Sequence, residues 1–427
     1  PTPSGIPPPP SDPGAFRAHP PLSVDHAMPS HSLVIAGGGI GGLTAALALA
    51  RSGHAVTVLE QAPVLAEVGA GIQLSPNASR VLIDLGLEKD LAAVAVGPRE
   101  IRVHSSRAGG EVARTAVGTT VEERYGAPFW VVHRADLLAV LARAVAAEPR
   151  IELLLDARFR DASPDPDGLC VHATIAGEAR DIRTDGLIGA DGVRSRVRTA
   201  LRAGPPARYT GRTAYRAIVP IDRVPAEMRD VTGMWLSPRA HLVHYPIRAG
   251  REFNLVAVVE DDWQDESWSV PASKSEFAAH FGLTGRSRWP EAARRLLDLP
   301  ETWTKWALCG FEADFEWTAG AVTLLGDAAH ATLPFAAQGG GMAIEDAAVL
   351  ARVLEGAPNV PAGFRAYETL RRPRTKAIVE QAVANGRIYH LPHALAFFRD
   401  QALKWGLGHQ LLDRMDWIYR WRPDRPD

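Results

Sequence analysis

The segment Gly37-Gly38-Gly39-Ile40-Gly41-Gly42 constrains this chain more than any other. It follows a short apolar run, Ser32 to Ala36, that reads as a buried strand. It opens a helical stretch from Leu43 to Ser52 that stops at Gly53, and His54 to Glu60 then reads as a second strand. Gly37, Gly39 and Gly42 fit the spacing GxGxxG. The first glycine permits a tight turn, the second lets a pyrophosphate approach the backbone, and the third lets helix and strand pack closely. The helix start adds favourable amide dipoles. Glu60, at the end of the second strand, is placed to bond ribose hydroxyls. The alternative is a structural glycine turn, which would leave Glu60 without a role.

The rest of the chain leaves this unit and returns to it. Helical stretches are expected at Asn77–Asp84 and Arg134–Ala147, with strands near Ile151–Leu155, Leu169–Thr174 and Thr184–Gly189. Between Tyr209 and Val259 the texture becomes that of antiparallel strands, as at Ala214–Ile218, His241–Pro246 and Phe253–Val259. Ala321–Leu325 is again a buried strand, followed by a helix from Gly341 to Leu354. The tail from Phe364 to Tyr419 is mostly helical, with a polar break near His390–His393. The expected fold class is α/β: a Rossmann-like dinucleotide-binding domain with an inserted β-rich substrate domain and a C-terminal helical segment. The expected boundaries are a disordered Pro-rich extension (1–30), the nucleotide domain (31–199), the β-sheet domain (200–312), the return segment (313–360) and the helical region (361–427). Met28, just before the first strand, is a candidate start.

Composition removes several function classes. A formal charge of −2 on 427 residues, with Arg scattered among acids, gives no basic footprint for nucleic acid or a stable membrane association. No apolar run is long enough to span a bilayer, and a cytoplasmic location follows by default. The two cysteines, Cys170 and Cys309, make neither a disulfide framework nor a Cys-based zinc site, and both read as buried apolar residues. No metal site is expected. His330 has no HxxxH partner that would make it a ligand. The sequence leaves a homodimer open.

Two later segments decide between nucleotides. Gly189-Ala190-Asp191-Gly192-Val193-Arg194-Ser195 and Gly326-Asp327-Ala328-Ala329-His330 resemble the DG and GD fingerprints of flavoprotein aromatic hydroxylases. With GxGxxG they occur in the order and approximate spacing of the group A flavin monooxygenases of the 4-hydroxybenzoate hydroxylase type. The resemblance runs from about His31 to Leu412. It implies FAD as cofactor, and NADH or NADPH bound transiently in a groove, since no second GxGxxG sits between a strand and a helix. It also implies O₂ and a small aromatic substrate as partners, and reaction through a flavin C4a-hydroperoxide. By that resemblance Asp327 contacts the ribityl chain or ribose, and Asp191 ties the FAD site to the nicotinamide route. Arg134 lies near the flavin, and Gly339 and Gly340 bring amides close to its ring. Asp327 also suits a helix N-cap, Asp191 a turn before glycine, and Arg134 a solvated helix start. Arg51 recurs in the family with lower weight.

For the chemistry, the segment His241-Leu242-Val243-His244-Tyr245-Pro246 stands out. In a strand, His241, Val243 and Tyr245 share one face and His244 points away. The pair resembles the active-site His and Tyr of the salicylate and 3-hydroxybenzoate hydroxylase branch. It implies His241 as base toward a ring hydroxyl and Tyr245 as an orienting donor. The alternative is a core histidine beside a packed tyrosine. Gln338 is expected to reach the cavity wall and bond substrate or flavin. Gln73 lies in the segment that lines the flavin's mobile position. Arg212, Arg216 and Arg239 are candidate carboxylate clamps. The expected reaction is hydroxylation of a small aromatic acid of the salicylate, hydroxybenzoate or hydroxynicotinate type, with decarboxylation where a carboxylate neighbours the hydroxyl. The competing readings are an FAD-dependent epoxidase, halogenase or reductase of a larger natural product, and a non-catalytic nucleotide-binding module. No WxWxIP segment of the flavin halogenases is present.

Overall fold

The strand–turn–helix–strand unit at the start of the chain is the centre of a five-stranded parallel sheet. The computed structural model describes residues 30–425, apart from 66–69, 264, 266, 268, 284–288, 313 and 408–410. The expected Pro-rich extension therefore lies outside the described residues, except for Ser30. The sheet has the order β18 (Val322–Leu324), β11 (Gly186–Gly189), β1 (Ser32–Ala36), β2 (Ala55–Leu59), β7 (Ile151–Leu154). Every neighbouring pair is parallel. Such a sheet is covered on both faces, which is why its strands read as continuous apolar runs rather than alternating ones. The helix Ile40–Arg51 covers it and packs against the helix Gly339–Glu355. Gly41 permits that approach, since a Cβ there would lie 2.9 Å from Leu325 and 3.1 Å from Ala343.

A second, eight-stranded sheet holds the order β16 (Ser269–Ser273), β17 (Thr302–Gly310), β12 (Arg208–Pro220), β15 (Glu252–Glu260), β14 (Ala240–Ile247), β13 (Val231–Ser237), β4 (Glu100–Ser105), β5 (Gly110–Ala116). Its pairs are antiparallel except for β13 with β4. This corrects the domain boundary at residue 200, because β4 and β5 come from inside the segment assigned to the nucleotide domain. Their alternation is masked by half-buried polar residues on β4. Arg102 bonds Glu100, and His104 stacks on Trp235 with centroids 4.0 Å apart. A three-stranded antiparallel sheet, β10 (Glu178–Thr184), β9 (Gly168–Ile175), β8 (Ala157–Asp165), flanks the parallel one. Cys170 on β9 and Cys309 on β17 are both only partly buried, against the expectation of core positions. A short ribbon of β3 (Gly71–Leu74) with β6 (Trp130–His133) lies against the large sheet: Gly71 N–H donates to Asn254 Oδ1 on β15 at 3.0 Å.

The C-terminal region is helical as expected: Val360–Tyr389, His393–Ala402 and Leu411–Tyr419, with the break at His390–Pro392. Its first helix is clamped to the nucleotide unit by a buried charge network. Arg371, 1% exposed, bonds Glu345 Oε2 at 2.8 Å and Asp346 Oδ1 at 2.7 Å. Arg374 takes Glu345 Oε2 at 2.8 Å, Asn77 Nδ2 donates to Glu345 Oε1 at 2.6 Å, and His330 Nε2 meets Asp346 Oδ2 at 2.6 Å. That contact gives His330 a structural place. Burial pulls the Asp346 carboxyl up, but His330 and Arg371 outweigh it and hold it down at about 2. Asp346 also accepts from Gly326 N–H at 3.0 Å, so the network positions the turn that carries Asp327. Among the described residues no helix is long and apolar enough to cross a membrane.

Candidate active site

The two sheets and the C-terminal helices enclose a cavity of about 1800 Å³. Pockets for a single drug-sized ligand span roughly 300–1,000 Å³, so there is room for a dinucleotide and a second small molecule together.

At the nucleotide end, Gly37, Gly39, Glu60, Arg134, Asp191, Asp327, Gly339 and Gly340 all line the wall. Gly37 has φ +113° and a Cβ there would lie 2.4 Å from Ala190 O, so only glycine serves. Gly42 faces inward instead. A Cβ on it would lie 1.9 Å from Gly37 O, consistent with its role in closing helix onto strand. Glu60 Oε2 accepts from Gly38 N–H and Oε1 from Ala62 N–H, both at 2.8 Å, which holds the carboxylate at the glycine turn. Asp191 Oδ2 accepts from Arg196 N–H at 2.7 Å and Val197 N–H at 3.2 Å, while its buried Oδ1 has no protein partner. An orphaned carboxylate oxygen at a cavity wall calls for a donor from a ligand. Open glycine backbone, Glu60 for a ribose and Asp191 with a spare acceptor fit FAD. Arg51 lies apart, donating to Asp84 O at 2.7 Å.

At the other end, alternation on β14 puts His241, Val243 and Tyr245 on the cavity wall. His244 faces the opposite side, where Trp235 Nε1 donates to it at 3.2 Å. His241 is 3% exposed, and its Nδ1 lies 2.8 Å from His390 Nε2. Phe335 and Tyr389 meet its ring edge-on. Burial, reinforced by His390 and Arg212, pushes its pKa well below the usual histidine value, so its ring is neutral near pH 7 and a lasting imidazolium there is disfavoured. Burial pushes the Tyr245 hydroxyl up, so it stays a donor. Tyr245 is seated by Gly71: a Cβ there would fall 2.3 Å from its ring. Gly71→Ala is therefore expected to displace Tyr245, lowering stability by about 1–3 kcal/mol and weakening ligand binding. A thermal melt and a ligand titration check both.

Gln338 is not where the sequence reading put it. It is 2% exposed, its Nε2 donates to Ser75 Oγ at 2.9 Å and its Oε1 accepts from Asn77 at 3.1 Å. Its amide is used up in bracing two helices, and it does not line the cavity wall. Of the three clamp candidates only Arg216 lines the cavity. Arg212 packs over the Phe335 ring, and Arg239 pairs with Glu260 outside. Gln73 does line the wall. The sequence reading missed His390, Tyr389 and Glu260. The helix break at His390 was visible, but nothing in the spacing joined it to His241, 149 positions away.

Burial also makes acid stability predictable. It lowers His244 to about 3, His104 and His390 to about 4, and puts His241 well below the usual histidine value. All four are neutral when folded and take up protons near pH 6.5 when unfolded. The unfolded state thus binds more protons below that pH, and stability falls as pH drops from 6.5 towards 4. Each fully buried histidine contributes about 1.4 kcal/mol per pH unit in that window. The melting temperature should be flat above pH 7 and fall steeply below 6; a level curve between pH 4.5 and 7 would contradict this.

The profile of the FAD binding domain family matches residues 31–382. The chain is 38% identical over 392 residues to the 3-hydroxybenzoate 6-hydroxylase of Polaromonas naphthalenivorans (strain CJ2), covering 91% of this chain and 96% of that protein. The chain belongs to the group A FAD-dependent aromatic monooxygenases. It is also 36% identical over 394 residues to a 3-amino-4-hydroxybenzoate 2-monooxygenase of Streptomyces platensis, covering 91% and 95%. Among solved structures, a salicylate hydroxylase substrate complex matches with a TM-score of 0.76 at 25% identity over 92% of this chain and 96% of that one. FAD is thus the cofactor of this monooxygenase, and NADH or NADPH its electron donor.

Proposed function

We propose that this monooxygenase hydroxylates a small aromatic acid of the hydroxybenzoate type, using His241 as base at the ring hydroxyl. One observation carries this reading: His241, Tyr245 and Arg216 line one cavity that also takes in the nucleotide-binding glycines. Bound FAD, reduced by NAD(P)H, supplies activated oxygen. The chain's own residues do the rest. His241 accepts the proton of the ring hydroxyl, which makes the ring electron-rich. Tyr245 donates a hydrogen bond that orients the ligand, and Arg216 bonds its carboxylate. Apolar walls from Val243, Val256 and Leu308 exclude water. The relatives named above all act on rings bearing a hydroxyl and a carboxylate by their names, which supports the same class here. Use of NAD(P)H supports a cytoplasmic setting.

A second reading, a larger apolar substrate, draws on the limb of the cavity that runs to Leu395, Phe398 and Leu403. Both are separated by measuring NAD(P)H oxidation and product formation with salicylate, 3- and 4-hydroxybenzoate, 6-hydroxynicotinate, anthranilate and urate. At least one hydroxybenzoate should stimulate oxidation and yield a hydroxylated product. Uniform failure of all the aromatic acids would sink the first reading. With the active acid, Arg216→Met should raise KM by roughly 10–100-fold, the worth of a charge-assisted bond. It should change little for the matching phenol without a carboxylate.

A further inference from the structure

We propose that His241, His390 and Glu260 form a proton relay that carries the substrate hydroxyl proton out to solvent and returns it once per turnover. The proposal rests on the reading of His241 as the base. His390, at the break after the helix Val360–Tyr389, bridges the cavity histidine and the protein surface. Its Nε2 lies 2.8 Å from His241 Nδ1, and its Nδ1 lies 3.3 Å from Glu260 Oε1. His241 and His390 are 3% and 5% exposed, whereas the Glu260 side chain is 32% exposed. The line therefore starts at a cavity wall, crosses a dry layer and ends in water.

The outer end sets every tautomer along it. A carboxylate only accepts hydrogen bonds. His390 Nδ1–H must then donate to Glu260, which leaves His390 Nε2 as an acceptor. That acceptor takes the His241 Nδ1–H, and so His241 Nε2 is left with a lone pair for the cavity. In the outward step the substrate O–H bond breaks and its proton joins His241 Nε2. The Nδ1 proton of His241 passes to His390 Nε2, and the Nδ1 proton of His390 passes to Glu260 Oε1, which exchanges with solvent. Both rings end neutral, with the His241 Nε2–H now donating to the phenolate. Reprotonation of the product oxygen by that N–H runs the same line backwards and restores the start.

Stepwise transfer would instead leave an imidazolium in the dry layer. Burial already disfavours that form at His241 and at His390, and the Arg212 guanidinium disfavours it further at both. Arg399 also faces His390 with positive charge, and Glu260 opposes it. Tyr389 and Phe335 close the remaining sides of the His241 ring. The geometry is braced at its outer end. Arg239 bonds Glu260 Oε2 at 3.2 Å, its N–H donates to His390 O at 3.3 Å, and its carbonyl accepts from Glu260 N–H at 2.9 Å. Arg239, expected to clamp a substrate, thus lies beside the relay exit.

His390 and Glu260 act through His241, and the test must separate that from mere support. Holoenzyme carrying Glu260→Gln, His390→Gln or Glu260→Asp is compared with wild type on whichever aromatic acid the wild type hydroxylates. Glu260→Gln keeps a polar partner for His390 but no proton acceptor. The expected result for both Gln variants is a kcat lower by roughly 10–100-fold at pH 7, with KM within about threefold. The loss should shrink towards pH 10, where a phenol ionises unaided, and Glu260→Asp should retain most of the rate. Wild-type rates, or one loss factor at every pH with reduced FAD content, would overturn the relay while leaving the base reading intact. If His241→Asn is fully active, the base reading falls and the relay with it. Binding of 4-nitrophenol, whose phenolate is coloured, reads the relay without turnover. A pH indicator should record fast proton release with wild type and slower release with Glu260→Gln. No release with wild type overturns the relay.

Discussion

His241→Asn should lower kcat for the phenolic substrate by roughly 10²–10⁴-fold near pH 7, the usual span for removing a general base. Asparagine keeps a polar group of similar reach but has no ring nitrogen that accepts a proton. KM should change much less, because Tyr245 and Arg216 still hold the ligand. The loss should diminish at high pH, where the substrate ionises in solution. The pH profile of kcat for wild type and variant decides it. A variant with wild-type kcat at pH 7 would return His241 to the role of a packed core histidine.

Arg371→Met is expected to be the most damaging substitution for stability. The side chain is 1% exposed and faces two carboxylates that are fully buried. Methionine fills similar volume but takes one cation from each, leaving Glu345 with Arg374 and Asn77, and Asp346 with His330 and the Gly326 N–H. Breaking a buried pair by removing one partner costs about 3–5 kcal/mol, because a charge stays in a medium that solvates it poorly. Asp346 also holds the Gly326 amide next to Asp327, so bound FAD should fall in parallel. Chemical denaturation and the flavin-to-protein ratio measure both. Arg371→Lys, which keeps the charge but loses the two-pronged geometry, should cost less. A cost under about 1 kcal/mol for Arg371→Met would mean that the carboxylates are protonated or hydrated.

Which features were legible in the sequence follows from how local their causes are. The turn Gly37–Gly42 and its flanking strands could be read directly, because a glycine with φ +113° and a helix packed on a strand leave a local signature. The face shared by His241, Val243 and Tyr245 was legible for the same reason: a strand alternates wherever it lies. Strands β4 and β5 were not legible, since half-buried polar residues interrupt their alternation: Arg102 pairs with Glu100 on its own strand, and His104 stacks on Trp235 of the neighbouring one. Gln338 misled because its place after the GD motif reads as cavity-facing. In the fold, Ser75 and Asn77 take its amide first. His390 showed only as a break in a helical stretch, because a proton acceptor for His241 is defined by a distance in space and not by spacing along the chain.

The sequence by itself determined the nucleotide-binding unit, the antiparallel strand bearing His241 and Tyr245, and the helical C-terminus. Each depends on backbone conformation and on side chains within one turn or one pleat. Only the tertiary structure decided that Arg216 reaches the cavity where Arg212 and Arg239 do not. It alone joined His241 to Glu260 through His390, and withdrew Gln338 from the wall. Those outcomes depend on which of several polar partners a buried group meets. Burial makes that choice costly to get wrong, but only packing of distant segments makes it.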